Sequence, residues 1–189
     1  MKLRQNYLLL LLLLIAMLIT GCSESNQPSP NVPPAANDNS GQADKNSAVP
    51  AQNMMKITVY HATKDASNLV AEAHIVPNND HPAKTAVELL ISGTKQAELV
   101  SAIPAGTKLR SIRIKDHTAY VDFNDKLIKN SSGGSAGEIL LVGAIVNTLT
   151  EFPDIQKVQI LVDGKKVDTI NGHLDTSEPL GRSENIIKK

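Results

Sequence analysis

The chain has 189 residues, with 19 basic and 19 acidic side chains, no Trp, three Tyr, two Phe and a single cysteine. That length fits one domain with a tail. The charge balance excludes the basic excess of a nucleic-acid binder, the shortage of rings argues against a platform that stacks bases or sugars, and the lone Cys22 rules out an intrachain disulfide.

At the N-terminus Lys2 and Arg4 precede an apolar run from Tyr7 to Ile19. At about 13 residues it is short for a spanning helix and suits the hydrophobic region of a signal peptide. The run closes on Leu18-Ile19-Thr20-Gly21-Cys22, which resembles a bacterial lipobox. Residues 1–21 are therefore expected to be removed, and Cys22 to carry a diacylglyceryl group that holds the chain on the extracytoplasmic face of the membrane, since two or three acyl chains suffice for stable anchoring. Without Lys2 and Arg4, 17 basic residues face 19 acidic ones, a formal charge of −2. Residues 22–53 are rich in Ser, Asn, Pro, Ala and Gln. They cannot bury enough apolar surface to offset ordering entropy, so they read as a linker, with a reach on the order of 30 Å.

The folded domain is expected over residues 54–181. Ile57 to Tyr60 reads as a strand. A second strand follows at Leu69 to Val76, with Leu69, Ala71, Ala73 and Ile75 on one face and Val70, Glu72, His74 and Val76 on the other. Pro82 suits a first helical position, Ala83, Ala86, Val87 and Leu90 form an apolar stripe, and Gly93 suits the C-cap region. Residues 94–106 read as irregular, with a turn of helix at Ala97 to Leu99. Lys108 to Lys115 and Thr118 to Phe123 read as strands joined at Asp116-His117, and Lys126 to Ser132 as a loop.

The most strongly patterned run is Ser135 to Gly164. Ser135 and Glu138 have the spacing of a capping box. Ile139, Val142, Ile145, Val146, Leu149 and Phe152 recur at the spacing of one buried helix face, and Pro153 ends the helix. Val158, Ile160 and Val162 alternate as in a strand, and Asp163-Gly164 is a two-residue hairpin signal. Lys166 to Ile170 is expected to return as an edge strand, and residues 182–189 to form a polar tail. The order β-β-α-β-β-α-β-β implies an α+β fold, a mixed or antiparallel sheet with two helices packed on one face.

Few residues suggest chemistry. Gly133 to Gly137 opens a helix but lacks the Lys-Ser/Thr of a phosphate loop, so it reads as a tight turn. His61, His74, His81, His117 and His173 show no helical metal-pair spacing and no cysteine joins them, so surface or capping roles are expected, with no metal and no cofactor. Ser135, Ser177, His173 and Asp122 form no nucleophile motif. Asp122, Glu138 and Glu151 offer carboxylates for glycan cleavage, but the capping box already accounts for Glu138. His173 and Asp175 suit a hydrogen-bonded lock of the C-terminal segment. Asn147 and Glu151, four apart on one helix face, either bond backbone inside the domain or line a partner surface. Lys108, Arg110, Arg113 and Lys115 form a basic stretch that faces solvent or an anionic polymer.

Asn147-Thr148-Leu149-Thr150-Glu151-Phe152-Pro153 followed by Val158 to Gly164 resembles the GerMN domain of the GerM family of sporulation and spore-germination proteins. Ile103 to Thr107, Ala119 to Phe123, Gly133 to Glu138, Gly172-His173, Asp175 and Ser177 to Leu180 extend the resemblance over residues 56–181. It implies a fold like the ring-building modules of envelope assemblies and an exported, lipid-anchored, non-enzymatic protein. The expected partners are an envelope protein or a second copy of the chain, with Arg113, Asn147, Glu151, His173 and Asp175 as candidate interaction residues. The alternative is a lipoprotein that binds peptidoglycan or an anionic wall polymer.

Overall fold

The computed structural model describes residues 53–189; the leader, Cys22 and nearly all of the linker lie outside the described residues. Ten elements of the domain matter here: β1 (Met54–Thr63), β2 (Leu69–Pro77), α1 (Pro82–Ser92), β3 (Leu99–Val100), β4 (Leu109–Lys115), β5 (Thr118–Phe123), α2 (Lys126–Lys129), α3 (Gly134–Leu149), β6 (Lys157–Val162) and β7 (Lys165–Lys166). A further short strand, β8 (Leu180–Gly181), and a 3₁₀ turn at Glu184–Ile186 follow.

The fold is α+β, and its strands divide between two hydrogen-bonded sheets. One is antiparallel in the order β2-β1-β3; the other runs β4-β5-β6-β7, with β8 also on β6. The β5–β6 pair is parallel, from Thr118↔Lys157 to Phe123↔Val162, and α2 and α3 form its crossover. A parallel pair needs such a crossover. Both central strands are largely buried, which is why β6 reads Val-Gln-Ile-Leu-Val with no exposed polar alternation. Two hairpins carry side chains through positive φ, at Asp116-His117 (49° and 56°) and Asp163-Gly164 (50° and 78°). This is the conformation a two-residue turn of type I′ demands.

Helix α3 packs against β1, α1 and β6. It is buried almost all round from Leu140 to Leu149, and Ile139, expected on the buried face, is 38% exposed. Val142, Ile145, Val146 and Leu149 of the expected face are buried, and a helix enclosed on several sides adds apolar residues around the rest of its circumference. Its start also differs from the capping-box expectation. Gly133 occupies the N-cap with φ 103° and no side chain caps the helix. Ser135 is exposed in the first turn, and Glu138 turns inward to other partners.

Four other expectations change. Residues 126–129 are a helical turn, held by Ile128 N and Lys129 N donating to the Asp125 carbonyl. Leu99 pairs with Thr63 as a strand instead of extending a helix. The strand expected over 166–170 stops at Lys166, because the amides of Ile170 and Asn171 are drawn to Glu138. Residues 182–189 are not a free tail: Leu69 bridges Ile187, Lys188 N donates to the Leu69 carbonyl at 2.8 Å, and Ile186 and Ile187 pack on the core.

The two faces of β2 alternate as expected, and the structure shows which one turns inward. Ala71, Ala73 and Ile75 point to solvent, while Val70, Glu72, His74 and Val76 are half-buried on the other face. The register places Val59 opposite Glu72 and Ile57 opposite His74, and Ile57 and Val59 are fully buried. The polar pair on β2 thus shares a face with the core of β1.

Candidate functional site: a buried carboxylate, a tail clasp and two open edges

Glu138 is fully buried and takes four separate donors. Its Oε1 accepts from Thr169 Oγ1 (2.8 Å), Ile170 N (2.9 Å) and Asn171 N (2.8 Å); its Oε2 accepts from His173 N (2.7 Å) and lies 3.1 Å from His173 Nδ1. Burial pushes this carboxyl's pKa up, but the backbone and hydroxyl donors outweigh it and bring the pKa down to about 2. His173 is thereby locked to Glu138, while Asp175 bonds only its own turn, accepting from Ser177 N (2.9 Å) and Ser177 Oγ (2.6 Å).

A second cluster joins α3 to the C-terminal segment. Asn147 donates from Nδ2 to the Ser183 carbonyl and accepts from Ser183 N at Oδ1, both at 2.9 Å. Glu151 Oε1 accepts from Tyr60 Oη (2.7 Å) and pairs with Arg182 Nη1 (2.9 Å). Arg182 also donates to the Asn147 carbonyl (3.0 Å) and to Tyr60 Oη (2.7 Å), pairs with Glu184, and lies 5.3 Å over the Tyr60 ring. Burial and the Glu151 bond together raise the Tyr60 pKa, partly offset by Arg182. Asn147 and Glu151 thus both make internal bonds; Asn147 is buried, and Glu151 stays exposed at the surface.

The other candidates are dispersed. Asp122 accepts from Gly164 N (2.8 Å) and from Arg110 Nε (3.2 Å), and Arg110 reaches Asp163 at 2.7 Å, so these residues tie two hairpins together. Ser135, Ser177, His173 and Asp122 form no shared hydrogen-bonded set among the described residues. Arg113 stands exposed on β4 and makes no ion pair among the described residues. Beside β4, a groove of about 550 Å³ is bordered by His81, Lys84, Arg110, Ile112 and Phe152.

Sequence reasoning missed one cluster. His61 is fully buried, not on the surface, and it lies with Glu72 and His74 such that one ligating atom of each falls within 4.8 Å of the others. Glu72 Oε1 is 3.2 Å from His74 Nε2. The register signal was present: Val70 lies opposite His61, so Glu72 is its diagonal neighbour across the strands.

Among the described residues no helix is long and apolar enough to cross a membrane. The Spore germination protein GerM of Bacillus subtilis is 24% identical to this chain over 197 residues, covering 90% of this chain and 53% of that protein. The chain thus spans about half the length of that relative. The first GerMN domain of the sporulation protein GerM from Bacillus subtilis superposes with a TM-score of 0.58 at 25% identity, covering 68% of this chain and 98% of the domain. The tandem GerMN domains of the same protein give a TM-score of 0.58 at 24% identity, covering 79% of this chain and 50% of theirs. The model of the Germane family, described as sporulation and spore germination, matches residues 58–168, more than half of this sequence, and the chain belongs to that family.

Proposed function

We propose that this chain is a non-catalytic lipoprotein, anchored through Cys22 on the extracytoplasmic face of the membrane, that works in sporulation, spore germination or a related envelope assembly by docking onto a second copy of itself. The observation that carries this reading is the open edge of β2. Among the described residues, the strand pairs from Ala71 to Val76 on one side only, with β1. Its outward row, Ala71, Ala73 and Ile75, is neutral and small except for Ile75, which is 64% exposed. This outward row carries no lysine, one of the devices that block strand addition. Antiparallel pairing of β2 with its symmetry mate would place like residues around a twofold axis, and a neutral row meets itself without charge repulsion. Two of the three carboxylates considered for glycan cleavage, Glu138 and Glu151, make internal bonds, which also favours binding over catalysis.

The test is a photo-crosslinking residue at Ile75 in sporulating cells, with Arg113 as the comparison site. Self-adducts from Ile75, lost on Ala73→Lys, are the expected result; adducts to other proteins or none at Ile75 would overturn the self-docking reading. A second reading, a lipoprotein that binds peptidoglycan or an anionic wall polymer, draws on exposed Arg113 and Lys115 on β4 beside the groove of about 550 Å³. Wall adducts from Arg113 together with saturable retention on purified sacculi would favour it.

A further inference from the structure

We propose that His61, Glu72 and His74 form a binding site for a divalent transition-metal ion, Zn²⁺ foremost. Nothing in the self-docking reading requires this site. The three side chains come from one sheet face: His61 from β1, Glu72 and His74 from β2. Two imidazoles and one carboxylate are a familiar three-ligand set for zinc, with the fourth position left for water or another ligand.

Two features point to a cation as the ligand of this cluster. The first is His61, which is 0% exposed and among the described residues finds no hydrogen-bond partner for either ring nitrogen. An imidazole buried this way forfeits its bonds to water with nothing in exchange. Coordination of one nitrogen would supply the absent partner. The second feature is Glu72. Its side chain is only 11% exposed, yet among the described residues it pairs with no Lys or Arg; its partners are His74, 3.2 Å away, and the neutral hydroxyl of Thr94. A nearly buried carboxylate ordinarily has a full counter-charge, and a divalent ion would provide one.

The surroundings fit. Ligands about 2.1 Å from a tetrahedral ion stand roughly 3.4 Å apart. Glu72 and His74 are already at 3.2 Å, and all three ligating atoms lie within 4.8 Å, so a modest rotation of His61 or His74 closes the set. The other oxygen of Glu72 accepts from Thr94 Oγ1 at 2.5 Å. That hydroxyl acts from outside the site to aim the carboxylate, as the supporting groups of metal ligands do. Glu72 and His74 border a cavity of about 410 Å³ with Gly93, Thr94 and Lys95, which gives an ion its route in. Bound metal would fasten the segment after α1 to the β1–β2 pair through Thr94 and Glu72.

The test uses the full chain, stripped with a chelator and titrated with Zn²⁺ by calorimetry and with Co²⁺ by visible absorption. One equivalent should bind, with the intense absorption of a tetrahedral Co²⁺ centre, and Zn²⁺ should raise the melting temperature. His74→Ala and His61→Phe should each weaken Zn²⁺ on the order of 100-fold or more, Glu72→Gln by about 10- to 100-fold, and His117→Ala not at all. His74 is partly exposed, so its variant keeps the fold even if the His61 variant does not; a far-UV spectrum checks both. Absence of saturable binding at one equivalent, or unchanged affinity in a folded His74→Ala protein, would overturn the proposal.

Discussion

Glu138 shows how one side chain organises a distant segment. Four donors from residues 169–173 converge on a carboxylate with no exposure, so removing it would leave several buried donors unpaired. Glu138→Ala should cost on the order of 3 kcal/mol or more in a denaturant melt. Because its folded pKa is about 2, below the ordinary 4.5, its contribution is complete above pH 4.5 and is lost as pH falls from there through 2. The wild-type chain should therefore lose melting temperature more steeply across that window than Glu138→Gln, whose side chain does not titrate; parallel profiles would sink the assignment. Ser135-x-x-Glu138 is a sound local motif, yet the glutamate is claimed by partners 31 to 35 residues away. A pattern that counts three residues cannot register that competition. The same limit hid His61, whose neighbours belong to another strand.

At the level of elements, the clasp between α3 and the segment beyond β8 makes residues 182–188 part of the domain. Asn147 and Ser183 exchange two hydrogen bonds, Arg182 bridges Tyr60 and Glu151, and Gly143 on α3 leaves just the space that the Ile186 side chain fills. Arg182→Ala should lower the melting temperature by several degrees, and deleting residues 182–189 by more, since the deletion also uncovers Leu69 and Ile186 sites. A truncated chain that melts like the full one would show the clasp to be superficial. Strands and hairpins were legible because their signals are local: alternation in β6, Asp163-Gly164 at its turn, Pro82 and Gly93 around α1. Which face of β2 turns to the core was not legible, because both rows carry apolar residues; the pairing with β1 shows that it is the row with Glu72 and His74. Likewise, the polar residues of 182–189 conceal Ile186 and Ile187, which pack only because α3 and β2 present a place for them.

For the molecule as a whole, the proposed anchoring rests on Cys22. Cys22→Ala should move the protein from the membrane fraction to the soluble fraction of fractionated cells while leaving the domain's melting curve unchanged. Equal membrane retention would refute lipidation as the anchor. The fold class and family could be read in the sequence because the motifs from Ile103 to Leu180 occur in one order across most of the domain.

The Tyr60 amide, on the side of β1 away from β2, donates to Thr148 Oγ1 at 3.1 Å, 88 residues further along the chain. Leu69 waits for residues 187 and 188. The N-terminal sheet thus depends on partners that are synthesised long after it, and contacts of such sequence separation are slow to form. Until they arrive, β1 and β2 have no finished core to join. A chain built this way closes only once most of its length is available.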